Sequence, residues 1–87
     1  MTWAGKDIKM NIEAKVRQIM SRILEVNESE IMEDSAIGDF PSWDSLHHLE
    51  MIAEIENNFG IHFTPDVLID LEDFSDIVKA VEERVAQ

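Results

Sequence analysis

The 87-residue chain carries 19 Asp and Glu against 7 Lys and Arg, a formal charge of −12, with 45% hydrophobic residues and no cysteine. A domain this small buries roughly 60% of its unfolded surface, enough for one modest core and too little for a large substrate pocket with its own lid. The charge argues against phosphate-mediated binding of DNA or RNA and against docking on an anionic membrane, and the missing thiols exclude disulfides, thiolate metal sites and a cysteine nucleophile.

The first ten residues, MTWAGKDIKM, are poorly patterned and read as an extension preceding a single domain over 11–87. They lack the apolar stretch of a signal peptide, and no later run approaches the ~18 apolar residues of a membrane span, so a cytoplasmic protein is expected. Trp3 is an odd residue to expose and is expected to pack back on the domain. From Asn11 the apolar positions fall at Ile12, Val16, Ile19, Met20, Ile23 and Leu24, one stripe of a helix that Asn11 can cap. Lys15, Arg17, Gln18 and Arg22 occupy its other face.

Residues 26–43 cannot continue that helix, because Gly38, Pro41 and a high Asn, Ser and Asp content interrupt it. Val26, Ile31, Ile37, Phe40 and Trp43 recur along this stretch as single apolar anchors, the pattern of a long loop packed on a core. A second helix runs from about Ser45 to Asn58, capped by Asp44 and ended by Gly60. Thr64-Pro65 starts a short third helix with Val67, Leu68 and Leu71 as its contacts. The last helix starts at Asp73 and carries the stripe Phe74, Ile77, Val78, Val81 and Val85. Ile61-His62-Phe63 is too short for a strand. The fold class is a small all-α bundle of three longer helices and one short third helix, with a long loop between helices 1 and 2.

The 56 residues from Ile23 to Val78 hold 15 carboxylates and no Lys or Arg. Such a stretch is either a solvated face that keeps the protein soluble or a docking face for basic partners. The second helix carries two apolar stripes. Met51, Ile52, Ile55 and Phe59 form a core face, while Leu46, Leu49 and Ala53 lie roughly 140° around the helix wheel, flanked by Glu50, Glu54 and Asn57. A small bundle seldom buries two separated stripes of one helix. The second is a surface kept for a partner, or it lies under the long loop; both hold if Leu46 is partly covered and Leu49 exposed.

Trp43-Asp44-Ser45-Leu46 at the start of an acidic helix resembles the acyl carrier protein family, in which an Asp-Ser-Leu motif opens the second helix and its serine bears 4′-phosphopantetheine. The likeness covers about Asn11 to Val85, and Glu54-Ile55-Glu56-Asn57-Asn58-Phe59-Gly60-Ile61 resembles that helix's ending in the family. The resemblance implies a four-helix carrier bundle that is not an enzyme, a monomer, with covalent 4′-phosphopantetheine from coenzyme A on Ser45. Asp44 and Leu46 would belong to the attachment site. Leu46, Leu49, Glu50, Ala53 and Glu54 would form the docking face. The implied partners are a phosphopantetheinyl transferase (holo-acyl-carrier-protein synthase) and acyl or aminoacyl ligases, synthases and transferases with basic docking patches, in fatty acid, polyketide or specialised lipid or polysaccharide metabolism. An aminoacyl or peptidyl carrier shares every one of these residues, and a non-covalent acidic interaction module is the reading from another class.

The sequence departs from the family in holding Ser42 and Trp43 where many members have Gly, and in following Leu46 with His47 and His48. These features resemble stand-alone carriers of specialised pathways. Ser45 itself suits a phosphorylated linkage, because first-turn N–H groups and the helix dipole favour an attached phosphate. A hydrolase is disfavoured: there is no G-x-S-x-G elbow and no room for a triad scaffold. His47, His48 and His62 complete no zinc spacing, and the loop lacks the EF-hand order. By its wheel position His48 is a partly buried helix residue, whereas His47 and His62 belong to the surface.

Overall fold

A computed structural model of the chain describes residues 5–86, with side chains from residue 11 onward. Trp3 lies outside the described residues. Four helices follow in order: α1 (Gly5–Leu24), α2 (Ser45–Phe59), α3 (Pro65–Asp70) and α4 (Phe74–Val85). A short 3₁₀ turn at Glu28–Glu30 interrupts the loop between α1 and α2. Among the described residues no strand forms, and the only β-type pairing is an isolated bridge between Ala36 and Asp73. No helix of the described residues is long and apolar enough to cross a membrane.

Helix α1 begins well before Asn11, which is therefore an interior residue and not the cap. Nothing between Lys6 and Met10 breaks a helix, and one Asn inside it costs only a fraction of a kcal/mol, on the order of 0.7 at most. Its stripe is buried as the periodicity requires: Ile12, Val16, Ile19, Met20 and Leu24 are all in the core. The opposite face is not simply solvated. Arg17 is half-buried, lies 4.6 Å over the Phe74 ring and donates from Nε to the Ile31 carbonyl at 3.2 Å. Arg22 reaches across to Glu54 of α2 at 2.9 Å.

α1 packs against both α2 and α4. α2 contributes Met51, Ile52 and Ile55 to the core, with Phe59 partly buried beside them. α4 contributes Phe74, Ile77, Val78, Ala80 and Val81, while Val85 at its end is exposed. α3 supplies Val67, packed against the core, and Leu71 at its end is buried; Leu68 and Ile69 face outward. Six residues cannot bury two sides when one neighbouring core is already filled.

The loop is sewn to the start of α4 by backbone hydrogen bonds. Phe74 N donates to Ser35 O at 2.8 Å, Ser75 N to Glu33 O at 3.1 Å and Ile37 N to Glu72 O at 3.3 Å. Ser35 is buried, and its hydroxyl accepts from Met32 N at 2.8 Å. Of the five apolar anchors, Ile31 and Trp43 are fully buried and Val26 and Phe40 pack against the core. Ile37 does not; it is exposed.

Candidate functional site at the start of helix α2

The loop delivers the chain to α2 through a tight series of contacts. Trp43 N donates to Phe40 O and Gly38 N donates to Trp43 O, each at 2.9 Å. Gly38 sits at φ +96, in the left-handed region that glycine adopts without strain. The Trp43 indole is 1% exposed, stacked against Phe40 at 6.4 Å and against His48 at 6.1 Å. Its Nε1–H donates to His48 Nδ1 at 3.0 Å. The residue two places before Ser45 is thus anchored in the core.

Asp44 caps α2 as its sequence position requires. Its backbone is extended and its Oδ1 accepts from His47 N at 2.9 Å. The same oxygen lies 2.8 Å from His47 Nδ1, so the ring nitrogen donates to it. These hydrogen bonds hold the Asp44 carboxyl below the usual carboxylate range, and the carboxylate raises the His47 imidazole above its usual value. Burial lowers His48 instead, against a smaller opposing effect of a hydrogen bond to the Leu71 backbone.

Ser45 is the first residue of α2 and is exposed. Its hydroxyl takes no hydrogen bond among the described residues, and both neighbouring imidazoles are engaged elsewhere. The cap occupies the His47 N–H, while the N–H groups of Ser45 and Leu46 precede the first helical hydrogen bond and have no partner within the helix. An exposed hydroxyl beside open first-turn amides fits a phosphodiester at this point. No Lys or Arg lies between Arg22 and Lys79 in the chain, so neither the loop nor α2 itself supplies a basic side chain to this point.

Leu46 and Leu49 are 64% and 63% exposed, and Ala53 is exposed with them. The loop does not cover Leu46, because its anchors Phe40 and Trp43 turn inward to the core side of α2. Glu50 is exposed one turn beyond Leu46, whereas Glu54 is partly shielded and engaged by Arg22. His62 is exposed and lies 3.6 Å from Glu56. Among the described residues no group of three or more His, Asp or Glu is placed to share a metal ion. A hollow of about 430 Å³ between α1, the loop and α4 is lined by Glu13, Glu33, Lys79 and Glu82 around Phe74, and none of its lining residues belongs to the start of α2.

Two features were missed by reading the sequence: the Trp43–His48 pair and the Arg17 clamp. The first had a signal, since an aromatic five residues before a core-side His spans the cap. The second had none, because Arg17 sits on the polar side of the helix wheel.

Comparison with known proteins gives three kinds of likeness. The family described as phosphopantetheine attachment site matches residues 14–81. An acyl carrier protein of Buchnera aphidicola subsp. Schizaphis graminum is 31% identical over 72 residues, 83% of this chain and 87% of that protein. A non-reducing polyketide synthase of Didymella fabae is 34% identical over 70 residues, 80% of this chain, and the match spans 3% of that much longer enzyme. A holo acyl carrier protein from Geobacter metallireducens, solved by NMR, shares the fold at a TM-score of 0.77 and 22% identity, over 85% of each chain.

Proposed function

The chain belongs to the acyl carrier protein family, whose members bear a phosphopantetheine attachment site, and from that premise we propose that Ser45 is the residue that carries the group. The observation that carries the proposal is the exposed, unengaged Ser45 hydroxyl at the first turn of a helix whose cap leaves the preceding amides open.

In the proposed reaction the Ser45 Oγ attacks the pantetheine-side phosphorus of coenzyme A. The phosphodiester bond forms, the pyrophosphate P–O bond breaks, and adenosine 3′,5′-bisphosphate leaves. The hydroxyl proton goes to a base of the transferase, since His47 and His48 are committed to Asp44 and Trp43. Once attached, the group supplies a thiol at the end of a flexible arm, on which acyl groups are carried as thioesters. The chain's own residues hold and present: Asp44 fixes the helix start, Leu46 borders the site, and Leu46, Leu49, Glu50 and Ala53 offer apolar contact edged by negative charge. Glu54 contributes to that face while bound to Arg22. This surface suits a transferase and acyl-transferring enzymes with basic, apolar-centred docking patches. The domain over 11–87 would act as a monomeric cytoplasmic carrier of acyl groups. A polyketide or fatty acyl cargo accords with the two kinds of relative, and an aminoacyl cargo would use the same residues.

The test is intact mass after incubation with coenzyme A, magnesium and a broad-specificity phosphopantetheinyl transferase, beside Ser45→Ala. One added phosphopantetheine, absent in the variant, is the expected result. No addition with several transferases would favour a non-covalent interaction module.

A further inference from the structure

His48 ties the loop to α2. From the loop, the buried Trp43 indole donates to its Nδ1. At the end of α3, the Leu71 backbone acts on the ring in the opposite sense to burial, favouring the protonated form. An indole N–H is a donor only, so Nδ1 must hold a lone pair, and the proton of the neutral ring must sit on Nε2. The bonding pattern therefore admits the neutral imidazole in one tautomer. A second proton would place N–H against N–H at Trp43, and a buried indole would lose its acceptor.

Apart from the Leu71 backbone, whose effect is smaller than that of burial, nothing nearby supports a cation. Phe40 and Trp43 of the loop are uncharged. On its own helix the carboxylate one turn back, Asp44, is engaged by His47. Asp70 and Glu72, which flank Leu71, are exposed, and among the described residues no carboxylate lies within ion-pair distance of His48. Asp44 alone separates Trp43 from Ser45.

We propose that neutral His48 is a positioning residue for Ser45: it holds Trp43, and with it the start of α2, and its protonation releases the Trp43 indole, and so the loop, from α2. The consequence for modification rests on Ser45 being the attachment residue; the latch itself does not. His47, next in the chain, titrates in the opposite sense, above the ordinary histidine value, because Asp44 faces it. The two steps are therefore separable.

The experiment follows the Trp43 indole N–H and the His48 ring nitrogens by NMR from about pH 8 to about pH 4.5. Rates of Ser45 modification are measured across the accessible part of that range. The variants are His48→Asn, whose carbonyl oxygen replaces the Nδ1 acceptor without titrating, and Trp43→Phe, which keeps the ring and removes the donor. In the unmodified sequence the indole should titrate together with His48, below the ordinary histidine range. His48→Asn should abolish that step. The ratio of its modification rate to that of the unmodified sequence, which cancels the transferase's own pH response, should rise by roughly 3- to 10-fold toward the acid side. Trp43→Phe should move the His48 titration upward, because the bond to the neutral form is gone. An indole insensitive to His48 titration, or a step that persists in His48→Asn, overturns the latch. A titrating indole with a rate ratio that stays flat overturns the positioning role. A titrating indole with no modification at any pH supports the latch and overturns the attachment reading of Ser45, so the two failures are distinguishable.

Discussion

Asp44 Oδ1 accepts hydrogen bonds from both the backbone and the ring of His47, and this one oxygen sets the electrostatics beside Ser45. The pH dependence follows from its sign. Asp44 is lowered from its ordinary value of 3.8, so its contribution to stability is complete above that value and is lost as pH falls through the lowered one. His47 is raised from 6.5, so its contribution is present below 6.5 and is lost as pH rises through the raised value. His48 is lowered from 6.5, so its contribution is present above 6.5 and declines as the solution is acidified. Urea midpoints of Asp44→Ala should fall at neutral pH, and NMR should show His47 returning down toward its ordinary value. A His47 titration unmoved by Asp44→Ala would contradict the pair. The cap was legible in the sequence because an Asp preceding a helix start has a mechanism. The imidazole partner was not, since i,i+3 spacing permits the contact without requiring it.

Helix ends show where a sequence speaks plainly at the level of elements. Gly60 closes α2 at φ +64, and an added Cβ there would meet nothing within 4 Å. Gly60→Ala should therefore cost about 1 kcal/mol through backbone conformation alone, read as a lower urea midpoint with unchanged slope. Glu25, just past α1, holds φ +56 without being glycine. Glu25→Gly should move stability the other way by about 1 kcal/mol, as the left-handed penalty is relieved. If both substitutions destabilised equally, backbone conformation would not be the cause. The stripes of α1, α2 and α4 were readable because burial on a helix has a 3.6-residue period. The start of α1 was misplaced because Asn11 is as acceptable inside a helix as at its end. Ile37 was misassigned because loop burial follows backbone hydrogen bonds to Glu72 and Ser35, which have no periodic trace.

The whole molecule carries −12, and the Arg22–Glu54 bridge is exposed enough to be worth under about 1 kcal/mol. Self-repulsion along the Arg-free and Lys-free stretch should outweigh it, so added salt should stabilise the fold. A gain of about 1 kcal/mol corresponds to a Tm rise of roughly 4–8 °C for a domain of this size. A Tm that fell with salt would mean that ion pairs, not repulsion, dominate. The same field bears on docking. Glu50→Lys should raise the transferase KM most at low salt while leaving Tm unchanged or higher, and kinetics indifferent to both charge and salt would reduce the anionic face to a solubility device. The acidity and the second apolar stripe were visible in the composition. That Glu54 is shared with Arg22 was not, since it depends on how α1 and α2 cross.

A second hydroxyl, that of Ser42, lies three residues before Ser45. Proteolysis of the modified protein followed by fragment sequencing in a mass spectrometer decides between them directly. Phosphopantetheine is expected on Ser45 alone, with Ser42 unmodified. Attachment at Ser42, or at any residue outside the first turn of α2, would contradict the proposed site.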